Sequence, residues 1–171
     1  VRDDGSTDTT MARLCSFRAA HPHLIRVLDD GRGRLGPVRS FASLLDASTA
    51  PYAMFCDHDD VWLPEKVERS LHAMRAAEAE HGVGTPIMIF TDLRIVDRSL
   101  RPVCESYWKF QRVDPRRIAL RQLLTQNVPS GCGMMINRTL IELARPIPAD
   151  AVMHDHWITL VAAAFGKLVY L

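Results

Sequence analysis

Lysine is scarce in this sequence. It stands only at positions 66, 109 and 167, so nearly all of the positive charge is arginine, a bias we assign to codon composition. Lys and Arg total 21 against 20 for Asp and Glu, a formal net charge of +1. Without a basic excess, nothing favours a nucleic-acid partner. No apolar run reaches the roughly 18 residues that a membrane-spanning helix needs, and there is no signal peptide. The four cysteines, Cys15, Cys56, Cys104 and Cys132, contain no C-x-x-C pair, which argues against a zinc ribbon. Cys15 and Cys56 fall at apolar positions and are expected to be buried, reduced thiols, as a reducing cytoplasm allows. The loop 29–36 lacks the Gly-Lys-Ser/Thr ending of a phosphate-binding P-loop. There is also no initiator methionine, and only a stub of strand precedes Asp3, so the sequence reads as though its first strand were missing.

What is present suits a soluble globular domain. Apolar residues are 47% and charged residues 24% of 171, enough for one domain with a real core. Strand-like apolar runs alternate with amphipathic stretches. The pattern predicts a helix from Met11 to about His21, a short strand at Leu24–Leu28, and a helix from Pro37 to about Ala47. It then predicts a strand at Tyr52–Cys56, a helix from Pro64 to about Ala79, and a strand at Pro86–Phe90. Further on, Tyr107–Phe110 reads as an aromatic loop and Asp114–Leu124 as a helix. Cys132–Ile136 reads as a strand, Thr139–Ala144 and His154–Phe165 as helices, and Leu168–Leu171 as a last strand. Such alternation implies an α/β fold with a mainly parallel sheet flanked by helices. In such sheets ligands bind at the carboxyl ends of the strands.

Two acidic turns sit at predicted strand ends. The first is Asp3-Asp4-Gly5-Ser6-Thr7-Asp8, whose residues suit a turn and a helix cap. The second follows the apolar run Tyr52–Cys56 and packs Asp57, Asp59 and Asp60 into four residues. Carboxylates crowded beside a buried strand repel one another unless a cation neutralises them, and a hard divalent ion shared with phosphates does so. Asp57-x-Asp59 supports two chemistries: holding a cation against a nucleotide diphosphate, or the D-x-D-x-T/V nucleophile of a phosphohydrolase, which Asp57, Asp59 and Val61 match. A solvated turn capping the helix at Pro64 is the structural alternative. Asp155 opens a predicted helix, where free N–H groups stabilise a carboxylate; it either caps that helix or acts as a general base. His154 and His156 are two apart and do not share a helix face, so a paired-histidine metal site is disfavoured. Trp157 suits the core better than a sugar platform.

Four blocks carry a resemblance. They are Asp3–Asp8, Asp57-His58-Asp59-Asp60-Val61-Trp62-Leu63-Pro64-Glu65-Lys66, Asn127–Arg138 and His154-Asp155-His156-Trp157. In this order and spacing they resemble family 2 glycosyltransferases, in particular the rhamnosyltransferase-like branch that builds bacterial surface polysaccharides. The resemblance implies a GT-A fold, a nucleotide-diphosphate-sugar donor such as dTDP-rhamnose, Mg²⁺ or Mn²⁺, and a saccharide or lipid-linked acceptor. It implies nucleotide-binding roles for Asp3, Asp4 and Asp57, metal ligation by Asp59 and Asp57, and Asp155 as the base of an inverting transfer. It places Asp60, Trp62, Gly131, Cys132, His154 and Trp157 around the donor and acceptor pocket. The nucleotide-binding part would span about 1–97 and the acceptor part about 98–171, with the protein cytoplasmic or peripheral at the inner membrane face. Gly133 and Ser40 depart from the Thr and Asn common in that branch, and His154-Asp155 from the more widespread Glu-Asp. A domain that binds the nucleotide-sugar without transferring it is the non-enzymatic alternative. If the reading holds, Asp4, Asp59 and Asp155 line one cleft.

Overall fold

A computed structural model describes residues 1–171. In chain order the elements are helix α1 (Thr10–Ala20), α2 (Pro37–Asp46), strand β1 (Tyr52–Met54), α3 (Lys66–His81) and β2 (Ile87–Phe90). A small hairpin follows, β3 (Ile95–Val96) and β4 (Pro102–Cys104), then α4 (Tyr107–Gln111) and α5 (Leu120–Leu123). A 3₁₀ turn at Gly131–Gly133 leads into β5 (Met134–Asn137), α6 (Arg138–Ala144), α7 (His154–Phe165) and β6 (Lys167–Tyr170).

The main sheet has the order β1-β5-β2-β6. β2 and β6 pair in parallel, and β5 runs antiparallel to both β1 and β2. Three strands therefore point one way, with the reversed β5 inserted between two of them. All four residues of β2 and of β5 are buried, as expected for central strands covered on both faces. The strand period of two sorts their side chains. Ile87, Ile89 and Met135 pack with Met74 and Ala77 of α3, whereas Met88, Phe90, Met134 and Ile136 join Leu140, Ile141, Ile158 and Ala162 of α6 and α7. The result is a three-layer α/β/α arrangement, and each fully buried large side chain contributes roughly 1.5–3 kcal/mol.

Local chemistry sets the junctions. Asn137, 1% exposed, accepts from Leu140 N–H (3.1 Å) to cap α6 and from Ile87 N–H (3.0 Å). Its amide also donates to Thr85 O (2.8 Å), so one residue ties β5, α6 and the start of β2 together. Gly166 closes α7 where an added Cβ would lie 2.0 Å from Pro86 O, so no other residue fits that turn.

Several expectations need correction. Leu24–Leu28 is not a strand; Val1 N–H to Arg26 O and Leu28 N–H to Val1 O, both 2.8 Å, give it the spacing of a single parallel rung beside Val1. The stripe on α1 buries nothing, and both Cys15 and Cys56 are exposed. All four cysteines are free thiols. The aromatic stretch at 107–110 is helical because Ser106 caps it, its hydroxyl accepting from Lys109 N–H (3.1 Å) and donating to Asp92 (2.5 Å). Asp114–Leu124 is helical only at α5. No helix is long and apolar enough to cross a membrane.

Candidate active site

The reversed strand assembles the site. β1 and β2 end on the same edge of the sheet, and β5 begins there, with Met54 facing Met135 and Phe90 facing Met134. The chain just after β1 and the turn just before β5 thus meet. Oxygens of Asp57 and Asp60 and the Cys132 sulfur lie within 4.8 Å of one another. Next to Cys132, Gly131 N–H donates to Asp155 Oδ2 at 2.9 Å, which brings the first turn of α7 to the same edge. The other oxygen, Oδ1, accepts from His156 N–H at 2.7 Å. A Cβ on Gly131 would crowd Asp155 Oδ2 to 3.4 Å, so glycine permits this approach.

The electrostatics are those of uncompensated negative charge. Asp57 is raised above the ordinary carboxylate value by partial desolvation, then by the charges of Asp60, Asp59 and Asp155. Burial, Asp60 and Asp57 push the Cys132 thiol up to about 11, opposed by a hydrogen bond with Ser130. Two carboxylates facing each other with excess charge fit a hard divalent cation. A protonated thiol adds little to such a donor set, so the oxygens of Asp57 and Asp60 would hold the ion and Cys132 would border it. The ion-sized group contains Asp60 and not Asp59. Asp59 instead lines the adjoining cavity of about 680 Å³, together with Asp60, Trp62, Lys66 and Cys132.

The remaining expected residues are placed differently. Asp4 is encircled: Leu35 and Gly36 N–H (2.7 and 2.8 Å), Ser40 Oγ (2.9 Å) and Arg2 (2.6 Å) all donate to it. These bonds draw its pKa down to about 2 and fix the loop that enters α2 at Gly36. Asp3 caps its own turn through Gly5 and Ser6. No hydrogen bond or ion pair joins Asp3 or Asp4 to the Asp57 group; α2 links the two regions, presenting Ser40 to Asp4 and Phe41 to His154. His154 is 3% exposed, stacked on Phe41 at 4.2 Å and edge-on to Phe55 at 4.9 Å. It packs behind the site, outside the cavity wall, and its two ring nitrogens lack protein partners. Trp157 donates to Ala144 O (2.8 Å), fixing α7 to α6.

Sequence reasoning assigned no role to Lys66, Arg69 or the wall built by Leu93, Ile95 and Tyr107. The signal for Lys66 was available: it opens a helix, where positive charge is disfavoured.

This is the strand-end geometry expected of a GT-A domain, and the chain belongs to glycosyl transferase family 2, whose family description matches residues 1–143. Asp155 lies beyond the matched segment. The membership sets aside the phosphohydrolase alternative. A dTDP-rhamnosyl transferase, RfbG of Shigella flexneri, is 27% identical to this chain over 77 residues, or 43% of it. The aligned part spans only 27% of that protein's length.

Proposed function

We propose that the protein transfers a sugar from a nucleotide-diphosphate-sugar, with dTDP-rhamnose the leading candidate, to a hydroxyl of a saccharide or lipid-linked acceptor. The transfer is cation-dependent and inverts the anomeric centre. The observation that carries this reading is the convergence of Asp57, Asp60 and Asp155 at one sheet edge beside a cavity large enough for a sugar nucleotide. The likeness to a dTDP-rhamnosyl transferase supports the choice of donor.

Asp155 is the base in this scheme. Each of its oxygens accepts one backbone N–H, which fixes the carboxylate and leaves lone pairs for the acceptor proton. The acceptor oxygen attacks the anomeric carbon opposite the leaving diphosphate, and its proton passes to Asp155. Asp57 and Asp60 would hold a divalent cation, with Asp59 at the cavity wall beside them. Bound Mg²⁺ or Mn²⁺ supplies charge neutralisation for the departing diphosphate. Work on a lipid-linked acceptor would place the protein at the cytoplasmic face of the membrane, in surface polysaccharide synthesis.

The test is release of nucleoside diphosphate from dTDP-rhamnose in the presence of Mn²⁺ and an acceptor glycan, with the product anomer read by NMR. Acceptor-dependent release with inversion is expected. Release that ignores both acceptor and Asp155 sinks the reading.

A further inference from the structure

Lys66 sits where the fold gains little from it. It is the first residue of α3, so its charge opposes the helix dipole. Its side chain is half-buried, with the ammonium 5.4 Å from the Trp62 ring centroid. It forms none of the protein's ion pairs. One turn on, at i+3 on the same helix face, Arg69 is equally unpaired, and both side chains line the cavity that Asp59 and Asp60 also line. Arg94, in the same lining, is neutralised by Glu105 at 2.8 Å. The two free cations of the lining are therefore both on α3. In the same lining the Trp62 indole N–H is enclosed and has no acceptor within the protein. A pocket with an unused indole donor, two unpaired cations and facing carboxylates has the charge pattern of a site for an anion that also takes a metal.

We propose that the Lys66–Arg69 ridge is the phosphate subsite of this cavity, with Lys66 donating to the diphosphate of the sugar nucleotide beside the cation that Asp57 and Asp60 would hold. This rests on the donor reading given above. In the transfer, the acceptor oxygen forms its bond to the anomeric carbon and its proton goes to Asp155. The anomeric carbon–oxygen bond breaks and its electron pair goes to the diphosphate. Lys66 meets that charge from the first turn of α3, as a second cation beside the one that Asp57 and Asp60 would hold.

The experiment is calorimetric titration of the purified protein with dTDP and with UDP, each with Mn²⁺, and with thymidine as the phosphate-free control. Charge-assisted hydrogen bonds are strong enough that Lys66→Gln should weaken diphosphate binding about tenfold or more. Thymidine affinity should stay unchanged, and Lys66→Arg should retain most of the diphosphate affinity. Arg69→Gln should give a smaller loss. Because removing a charge that opposes the dipole does not harm α3, the melting temperature of Lys66→Gln should match the parent. A merely structural lysine would show the reverse, a lower melting temperature with dTDP affinity intact, and that result overturns the proposal. If the parent protein binds neither diphosphate, the donor reading fails and the inference goes with it. If the parent binds and Lys66→Gln binds equally, only the role of Lys66 falls.

Discussion

Around Asp4 both carboxylate oxygens have donors, whereas the carboxylates of Asp57 and Asp59 accept no hydrogen bond in the fold. The sequence around each looks alike: aspartates following an apolar stub or strand, then glycine, serine or histidine. The difference is what surrounds them. In the first region Arg2, whose side chain is 2% exposed, sits between Asp4 and Asp30, and charge is cancelled within the chain. Asp30 is pulled well below the usual carboxylate range by Arg2. In the second region carboxylates face carboxylates, and Asp57 is pushed the other way. A satisfied carboxylate cluster organises loops; an unsatisfied one awaits a ligand.

The strongest way to test that division is at Asp155. Asp155→Asn keeps an oxygen for Gly131 N–H but removes the base, so transfer should fall about 10²–10⁴-fold with Mn²⁺-dependent dTDP affinity nearly intact. If dTDP affinity collapses too, Asp155 belongs with the structural carboxylates. Next in size is the cation. Mg²⁺ or Mn²⁺ at a hundred times its Kd should stabilise the parent by about 2.7 kcal/mol and leave Asp57→Asn almost unmoved. Equal stabilisation of both proteins would place the ion elsewhere. The third test inverts the second. Asp4→Ala strands two backbone N–H groups and takes one partner from the Arg2 guanidinium, which keeps Asp30, and should cost about 1–2 kcal/mol, at the lower end because its side chain is 35% exposed. Asp57→Asn, which removes like-charge repulsion, should not lower the unliganded melting temperature. An Asp4→Ala protein of parental stability that no longer binds dTDP would instead make Asp4 a nucleotide contact.

These regions also differ in how far the sequence revealed them. Tyr52–Cys56 and Pro86–Phe90 were legible because apolar runs of strand length end in polar turns; although the cation was expected on Asp57 and Asp59, with Asp60 only in the pocket, the acidic group and Asp155 were legible as candidates. Their convergence was not, since it depends on β5 entering the sheet antiparallel between β1 and β2, a choice made by packing. The same cause sets Cys132, expected at the pocket, beside Asp60 through strand register. The Asp3–Asp8 segment suited a turn, which Asp3 closes through Gly5 and Ser6, but Asp4 was expected at the nucleotide, and its partners Leu35, Gly36 and Ser40 lie more than thirty residues away and carry no local mark. The stripe Met11, Leu14, Cys15 and Phe17 predicted a buried face on α1, yet periodicity cannot say that a neighbour exists; here none covers it. His154 and Trp157 drew functional readings from their place beside Asp155, while stacking on Phe41 and a bond to Ala144 give them positions behind the site.

The finest probe of the comparison is titration. Asp4 has a folded pKa of about 2, below its ordinary value of 3.8, so its ionised form stabilises the fold. That contribution is complete above the unfolded pKa and is lost as pH falls from about 4 toward 2. Asp57 is raised above 3.8, so its ionised form opposes folding; the cost is complete above its folded pKa and disappears as pH falls below 3.8. Acidification should therefore first relieve the site and then loosen the N-terminal segment. Carboxyl-carbon NMR should show Asp57 titrating above Asp4, in that order. Mg²⁺ should then separate the regions fully: an ion held by Asp57 and Asp60 favours their charged forms and must lower the Asp57 midpoint while leaving Asp4 in place. If Mg²⁺ moves neither midpoint, the unsatisfied carboxylates are not a cation site, and the contrast between the two regions loses its functional meaning.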